Sequence, residues 1–387
     1  MKQLLENKRY NILITSLFIA LALLVAFFAG KDYVEFRAWD QEFYIGDQVT
    51  RVEKFSDYNP NLKGTIGDAD IFVLEGTVSA SGPSLLIIGG THPNEPSGQL
   101  TSVLFLENLQ VEVGTVYIIT EANRSAFATT TPQEGSPMSY TIETPTGERT
   151  FKYGSRATSF VDQWPNPDIF VHPSSGQQLS NQDTRNLNRS YPGRIDGYYT
   201  ERVAYAITEL IRQNNITMTI DLHEASPEYM TNNAIVAHPG DAMMIASRAW
   251  FNLELMGIAI KVETSPANLR GLTHRELGLY TDTLAFLCET SNASQGRIHG
   301  VFTEDLIVTG EDKFYQKAEE LGLLEAHPTT LSERVARHTT TILQLVASYN
   351  SLKNPGDLAN QSLIITSMPS FDDIVTNGIG HYLKSLS

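Results

Sequence analysis

One cysteine in 387 residues, Cys288, leaves no intrachain disulfide and no multi-cysteine metal site. It lies in the apolar run Leu284–Cys288 and reads as a small buried hydrophobe. Basic runs are also missing. Lys and Arg total 28 against 44 Asp and Glu, a formal charge of −16, so the chain lacks the basic face that nucleic acid requires. No G-x-S-x-G and no H-E-x-x-H occurs, which removes the signatures of a serine hydrolase and of a helix-borne zinc protease. Internal repeats and low-complexity tracts are absent as well.

What is present is an ordinary globular mixture, 41% apolar and 19% charged, behind one long hydrophobic run. Lys2, Lys8 and Arg9 precede the nearly uncharged stretch from Ile12 to Gly30. That length just suffices for a membrane-spanning helix. The charge before it predicts a cytoplasmic N-terminus with the rest of the chain outside the cell membrane. The run ends in Phe27-Phe28-Ala29-Gly30, a poor site for signal cleavage, so an uncleaved single-pass anchor is expected over a signal peptide.

Four parts follow: an anchor (1–30), an extracytoplasmic lead-in (31–82), a main domain (83–351) and a tail (352–387). The main domain alternates apolar runs with helical patterns. Ser84–Ile88, Val116–Thr120, Ile216–Leu222, Ala234–Ala237, Ala259–Val262 and Leu284–Cys288 read as strands; Asp70–Leu74 and Ser362–Ile365 read so outside it. Continuous apolar runs suit strands covered on both faces. Thr200 is placed to cap a helix with Val203, Ile207, Leu210 and Ile211 on one face. Thr330 and Glu333 make a capping-box pattern before Val335, Thr339, Ile342 and Val346. The alternation predicts an α/β domain with helices on both faces of a mostly parallel sheet, its sites beyond the carboxyl ends of strands.

Four constellations carry chemistry. Gly89-Gly90-Thr91-His92-Pro93-Asn94-Glu95 follows the run Ser84–Ile88, and its imidazole and carboxylate can reach one cation. Thr217–Glu224 brings His223 to a strand end, with Asp221 on the same side as a hydrogen-bond acceptor for an imidazole. Arg185-Asn186-Leu187-Asn188-Arg189-Ser190-Tyr191-Pro192-Gly193 offers amide and guanidinium donors to a carboxylate. Glu289 ends the run Leu284–Cys288, where a partly dry site raises a carboxyl pKa and suits it to proton transfer. Taken singly, each is equally a polar loop or a strand-ending surface residue. Leu269–Glu276 reads as a solvated polar loop, with pocket-shaping as its alternative.

In this order and spacing the four motifs resemble the zinc carboxypeptidase superfamily, in particular its succinylglutamate desuccinylase/aspartoacylase branch, over about residues 83–300. The resemblance implies a three-layer α/β/α domain with one zinc ion. It implies His92, Glu95 and His223 as metal ligands, Glu289 as catalytic acid/base, and Asn188 with Arg189 as a clamp on the substrate carboxylate. The arginine that steadies the oxyanion is expected at Arg185, with Arg156 behind it. Pro93 stands where many relatives have Gly and Asn186 where they often have Asp, and neither is expected to touch a ligand. The activity implied is hydrolysis of an amide beside a free carboxylate in a small molecule or peptide, as in N-acyl amino acid deacylases. The alternatives are a metallocarboxypeptidase acting on peptides or cell-wall peptides and a catalytically inactive membrane-anchored binding protein.

Overall fold

The computed structural model describes residues 2–130, 135–266, 268–324, 327–352 and 362–386. It divides into two compact units, Met1–Gln41 and Glu42–Ser387.

The first unit is the helix α1 (Lys2–Ala38). Its apolar part, Asn7–Ala38, has 32 residues, about 48 Å of helix at 1.5 Å per residue, against a hydrocarbon core of about 30 Å. It is long and apolar enough to cross a membrane, and it runs past the expected end at residue 30.

The second unit holds the strands β1 (Val49–Lys54), β2 (Asp70–Glu75), β3 (Ser79–Ile88) and β4 (Gln110–Ile119). Two hairpins follow, β5 (Ser139–Thr144) with β6 (Gly147–Lys152) and β7 (Ile169–Val171) with β8 (Gln178–Ser180). Then come β9 (Met218–Ala225), β10 (Ala234–Ala237), β11 (Lys261–Thr264), β12 (Leu284–Ser291) and β13 (Ile364–Thr366). One mixed sheet has the order β1-β2-β4-β3-β9-β12-β10-β11, with β13 alongside the first half of β4. Its centre, β4-β3-β9-β12, is parallel throughout. The antiparallel pairings lie on the flanks, where β2, β10 and β13 join. The stretch written as a lead-in therefore supplies β1, β2 and the start of β3 to the same sheet, and the tail supplies β13. Residues 353–361 of that tail lie outside the described residues.

The helices of the second unit that flank this sheet are α2 (Phe55–Tyr58), α3 (Pro96–Asn108), α4 (Arg124–Phe127), α5 (Tyr199–Asn214), α6 (Asp241–Leu255), α7 (Thr273–Tyr280), α8 (Glu304–Thr309), α9 (Lys313–Glu320) and α10 (Leu331–Ser351). Strand periodicity explains the three layers. Leu85, Ile87, Ile118, Ile220, Leu222, Phe286 and Cys288 pack with α6 and α10 on one face. Leu86, Ile88, Ile119 and Ala285 pack with α5 and α7 on the other. Successive side chains point to opposite faces, so Asp221, His223 and Glu289 share the α5/α7 face, while Glu224 and Thr290 fall on the α10 face.

Two caps differ from their sequence reading. Helix α5 starts two residues early: the Tyr198 N–H donates to the Glu201 carboxylate at 2.9 Å, and the Thr200 hydroxyl is engaged by Gln163 instead. Thr330 does cap α10, accepting the Glu333 N–H at 3.1 Å, but the Glu333 carboxylate turns to Arg337. Since Phe286 is fully buried at the heart of the sheet, Phe286→Ala should cost about 3–5 kcal/mol. Chemical denaturation of the full chain in detergent measures this, and a loss under 1 kcal/mol would contradict the packing described.

Candidate metal centre

The loop after β3 is shaped by its glycines. Gly90 has φ +70°, and a Cβ there would sit 2.7 Å from the Phe127 ring and 2.8 Å from the Thr120 carbonyl oxygen, so only glycine fits. The chain then turns on itself, the Glu95 N–H donating to the His92 carbonyl at 3.0 Å. Pro96 opens α3, where its missing N–H leaves nothing unsatisfied. The turn brings the buried His92 and Glu95 side chains to one side.

His223, near the end of β9, meets them there. Its Nδ1 lies 3.1 Å from His92 Nδ1 and 2.9 Å from Glu95 Oε2, and His92 Nδ1 lies 2.9 Å from Glu95 Oε1. The two Nε2 atoms are already used. His92 Nε2 donates to Asn186 Oδ1 at 2.9 Å, and His223 Nε2 donates to Asp221 Oδ2 at 2.8 Å. With its Nε2–H committed, each neutral ring turns a lone pair inward at Nδ1. Two lone pairs and a carboxylate pressed together without water repel unless a positive charge lies among them. Ligand atoms around a tetrahedral ion at about 2.0–2.1 Å stand about 3.3 Å apart, close to the separations seen. The group is positioned to bind a metal ion, and its N, N, O composition suits zinc.

The supports of the two rings differ. Asp221 is a wholly buried carboxyl group, fixed by the Thr91 hydroxyl at 2.7 Å and the Thr273 hydroxyl at 2.5 Å. Asn186 is neutral. Its Nδ2 donates to Asp183 Oδ1 at 2.9 Å and its Oδ1 also accepts the Asn188 N–H at 2.9 Å, which settles the orientation of the amide. Asn186 therefore does touch a proposed ligand, contrary to expectation, because a carbonyl oxygen accepts an imidazole N–H as a carboxylate would. The charges follow. Burial pushes His92 down to about 4, with Arg156 acting the same way. Burial also acts on His223, but Asp221 and Glu95 outweigh it and hold His223 well above its ordinary value. Burial opposes ionisation of Glu95, yet His92, His223 and Arg156 keep it well below the usual carboxylate range.

Glu289 lies in register with His223 across β12 and β9, on the same face. Its Oε2 is buried and has no hydrogen-bond partner among the described residues. Burial pushes its pKa up to about 8; Glu95 and Asp221 raise it further, while His223 and Arg156 oppose. Asn188 Oδ1 accepts from the Thr273 N–H at 2.8 Å and lies 3.0 Å from its hydroxyl, which leaves Nδ2 as the donor end of the amide. Arg189 is anchored by Nη1 to the Asn188 carbonyl at 2.7 Å, and its Nε lies 3.7 Å from Asp183. Burial lowers its pKa, with Asp183, Tyr229 and Glu289 acting in opposition.

Arg185 goes elsewhere. Its guanidinium donates to the Thr158 carbonyl and lies 3.4 Å over the centroid of Phe160, packed against the loop that precedes β7. Arg156, the other candidate arginine, pairs with the centre itself, its Nη1 at 2.5 Å from Glu95 Oε1. Leu269–Glu276 is likewise no solvated loop: Leu272, Thr273, His274 and Glu276 are buried, and Thr273 opens α7 against Asp221 and Asn188.

A polar layer on the α10 face, not anticipated from sequence, holds the end of β9. The Glu224 N–H donates to Glu95 Oε2 at 3.1 Å. Its carboxylate accepts from Arg334 Nε at 2.7 Å and from Asn292 Nδ2 at 2.7 Å, with Glu224 and Arg334 both buried. Arg334 also donates to the carbonyls of Thr329 and Ile307, each at 2.6 Å. His338 Nε2 lies 3.1 Å from the His223 carbonyl.

Solved structures resemble this chain. A succinylglutamate desuccinylase/aspartoacylase from Rhodobacter sphaeroides is similar with 16% identity over 72% of this chain and 58% of that one, at a TM-score of 0.40. The apo cell shape determinant protein Csd4 from Helicobacter pylori is similar with 13% identity over 80% and 59%, at 0.46. The ectoine utilization protein EutE (DoeB) from Ruegeria pomeroyi is similar with 16% identity over 59% and 55%, at 0.37. The chain spans just over half the length of each of these. No protein-family model and no curated protein matches the sequence.

Removing the support of His92 tests the geometry. Asn186→Leu should weaken metal affinity about 10–100-fold and, because the buried amide also holds Asp183 and the Asn188 N–H, should lower the thermal stability of the metal-free protein as well. Competition with a chromogenic chelator reads the affinity, and an unchanged value would show that Asn186 does not orient the ring.

Proposed function

We propose that this protein is a zinc-dependent hydrolase that cleaves an amide bond next to a free carboxylate, held at the cell membrane by α1 with its second unit outside the cytoplasm. One observation carries the reading. His92 Nδ1, His223 Nδ1 and the Glu95 carboxylate converge with both Nε2 atoms consumed, while on the neighbouring strand stands a carboxyl with a buried oxygen unpartnered among the described residues.

When bound, zinc supplies Lewis acidity, which polarises a carbonyl and acidifies a water toward about 7. The chain's own residues do the rest. Glu289 Oε2 accepts a proton from the attacking water, and the water oxygen joins the carbonyl carbon. As the carbon–nitrogen bond breaks, the same oxygen returns that proton to the departing nitrogen. The raised pKa of Glu289 suits it to both duties near neutral pH. Arg156, whose guanidinium already lies at this carboxylate-lined centre, faces the negative charge that develops on the carbonyl oxygen. Asn188 Nδ2 and the guanidinium of Arg189 hold the substrate carboxylate and so select an N-acyl amino acid or a peptide C-terminus.

Mass spectrometry of the purified full chain should find one zinc per chain, and His223→Ala should lose it. Glu289→Gln should keep the metal while turnover of N-acyl amino acids falls about 10²–10⁴-fold. A metal-free wild type after zinc-supplemented growth, or full activity in Glu289→Gln, would contradict the reading. Lys2, Lys8 and Arg9 before the span support the outward topology. Intact cells treated with external protease should lose the second unit while α1 stays in the membrane fraction; full protection would reverse the topology.

A further inference from the structure

The loop between β6 and β7 carries Arg156 and then forms a tight turn. The Asp162 and Gln163 N–H groups both donate to the Ser159 carbonyl at 3.1 Å. Phe160 and Val161 stand side by side in this turn, and Trp164 follows four residues after Phe160. The three are 55%, 61% and 79% exposed. The polar side chains of the same turn are engaged by the rest of the domain. Asp162 Oδ2 accepts from the Ser125 hydroxyl at 2.5 Å. Gln163 is buried, donates to the Thr184 carbonyl at 2.9 Å and accepts the Thr200 N–H at 2.9 Å. The tip is thus pinned from beneath with its apolar side chains left to water, the mark of a surface that something covers.

Contacts join this tip to the site. The Phe160 ring lies 3.4 Å from the Arg185 guanidinium, the Thr158 N–H donates to the Arg185 carbonyl at 3.0 Å, and the next residue, Asn186, holds His92. Residues 159–167 contain no Lys or Arg, and their one acid, Asp162, is already engaged, so the tip matches an apolar surface. Only residues 39–48 lie between α1 and β1, at most about 35 Å of extended chain. A bilayer crossed by α1 is therefore within reach at high local concentration. Tryptophan is also enriched where headgroups meet acyl chains.

Resting on the membrane anchor proposed above, we propose that Phe160, Val161 and Trp164 dock into the surface of the bilayer that α1 spans. Docking holds the loop bearing Arg156 and, through Arg185 and Asn186, the metal centre beside that surface.

The test attaches a nitrobenzoxadiazole dye to single introduced cysteines, since the native Cys288 is buried. The full chain carrying Trp164→Cys, or Val78→Cys as reference, is reconstituted into phosphatidylcholine vesicles with and without doxyl-labelled phosphatidylcholine. Val78 is 77% exposed and precedes β3, at the opposite end of that strand from the metal loop. Doxyl lipid should quench the dye at 164 at least about twofold more than the dye at 78, because insertion by about 5–10 Å brings it among the acyl chains. Val161→Asp should remove the difference. Equal quenching at the two positions, a difference that Val161→Asp leaves intact, or quenching at 164 that follows protein density instead of doxyl lipid, as a second copy covering the tip would give, would overturn the docking. Each of these leaves the anchor and hydrolase readings standing, provided the protein floats with the vesicles. Protein that does not float with them would overturn the anchor and the docking together.

Discussion

The structure depends on two imidazoles being forced to present their Nδ1 lone pairs to each other and to one carboxylate. Left alone, a neutral histidine chooses its tautomer by the nearest good partner. Here Asn186 and Asp221 make that choice by taking the Nε2 hydrogens. Burial then removes the water that would relieve the repulsion, so the centre must hold positive charge. Without a metal, and against its burial, Asp221 and Glu95 hold His223 well above its ordinary value and so keep a proton there, while burial and Arg156 drive His92 down to about 4. A cation and that proton compete for the same space.

Such an arrangement persists only if its surroundings are rigid. Glu95 accepts a backbone N–H from Glu224, and Glu224 is itself locked to Arg334 on the opposite face of the sheet. A buried ion pair of this kind is weak evidence for net stability, because desolvation offsets much of the attraction. Its value here is geometric. With three carbonyl and carboxylate partners around Arg334 and His338 against the His223 carbonyl, helix α10 fixes where β9 ends, and with it the position of one proposed ligand and the donor to another.

Much of this was legible in the chain. Runs such as Ser84–Ile88 and Leu284–Cys288 are apolar because both faces of the central strands are covered, and helices do lie on both. The parity of Asp221 and His223 announced their shared face. The antiparallel flanks were less visible, since β1 is short and largely exposed and the pairing of β1 and β2 is set by distant neighbours. Arg185 and Arg156 look alike in sequence; only the fold shows that Phe160 and the Thr158 carbonyl claim the first. Thr273 and Arg334 gave no signal either. Each acts through partners distant in the chain, Thr273 through Asp221 and Asn188 and Arg334 through Glu224, and neither spacing nor composition encodes such a contact.

The unequal support of the two rings has its own consequence. An anionic acceptor raises the basicity of the imidazole it holds, whereas an amide only orients it. His223, backed by Asp221, is the stronger donor to any cation, and His92, backed by Asn186, the weaker. The amide at position 186 thus orients one ring without adding the basicity that Asp221 gives the other.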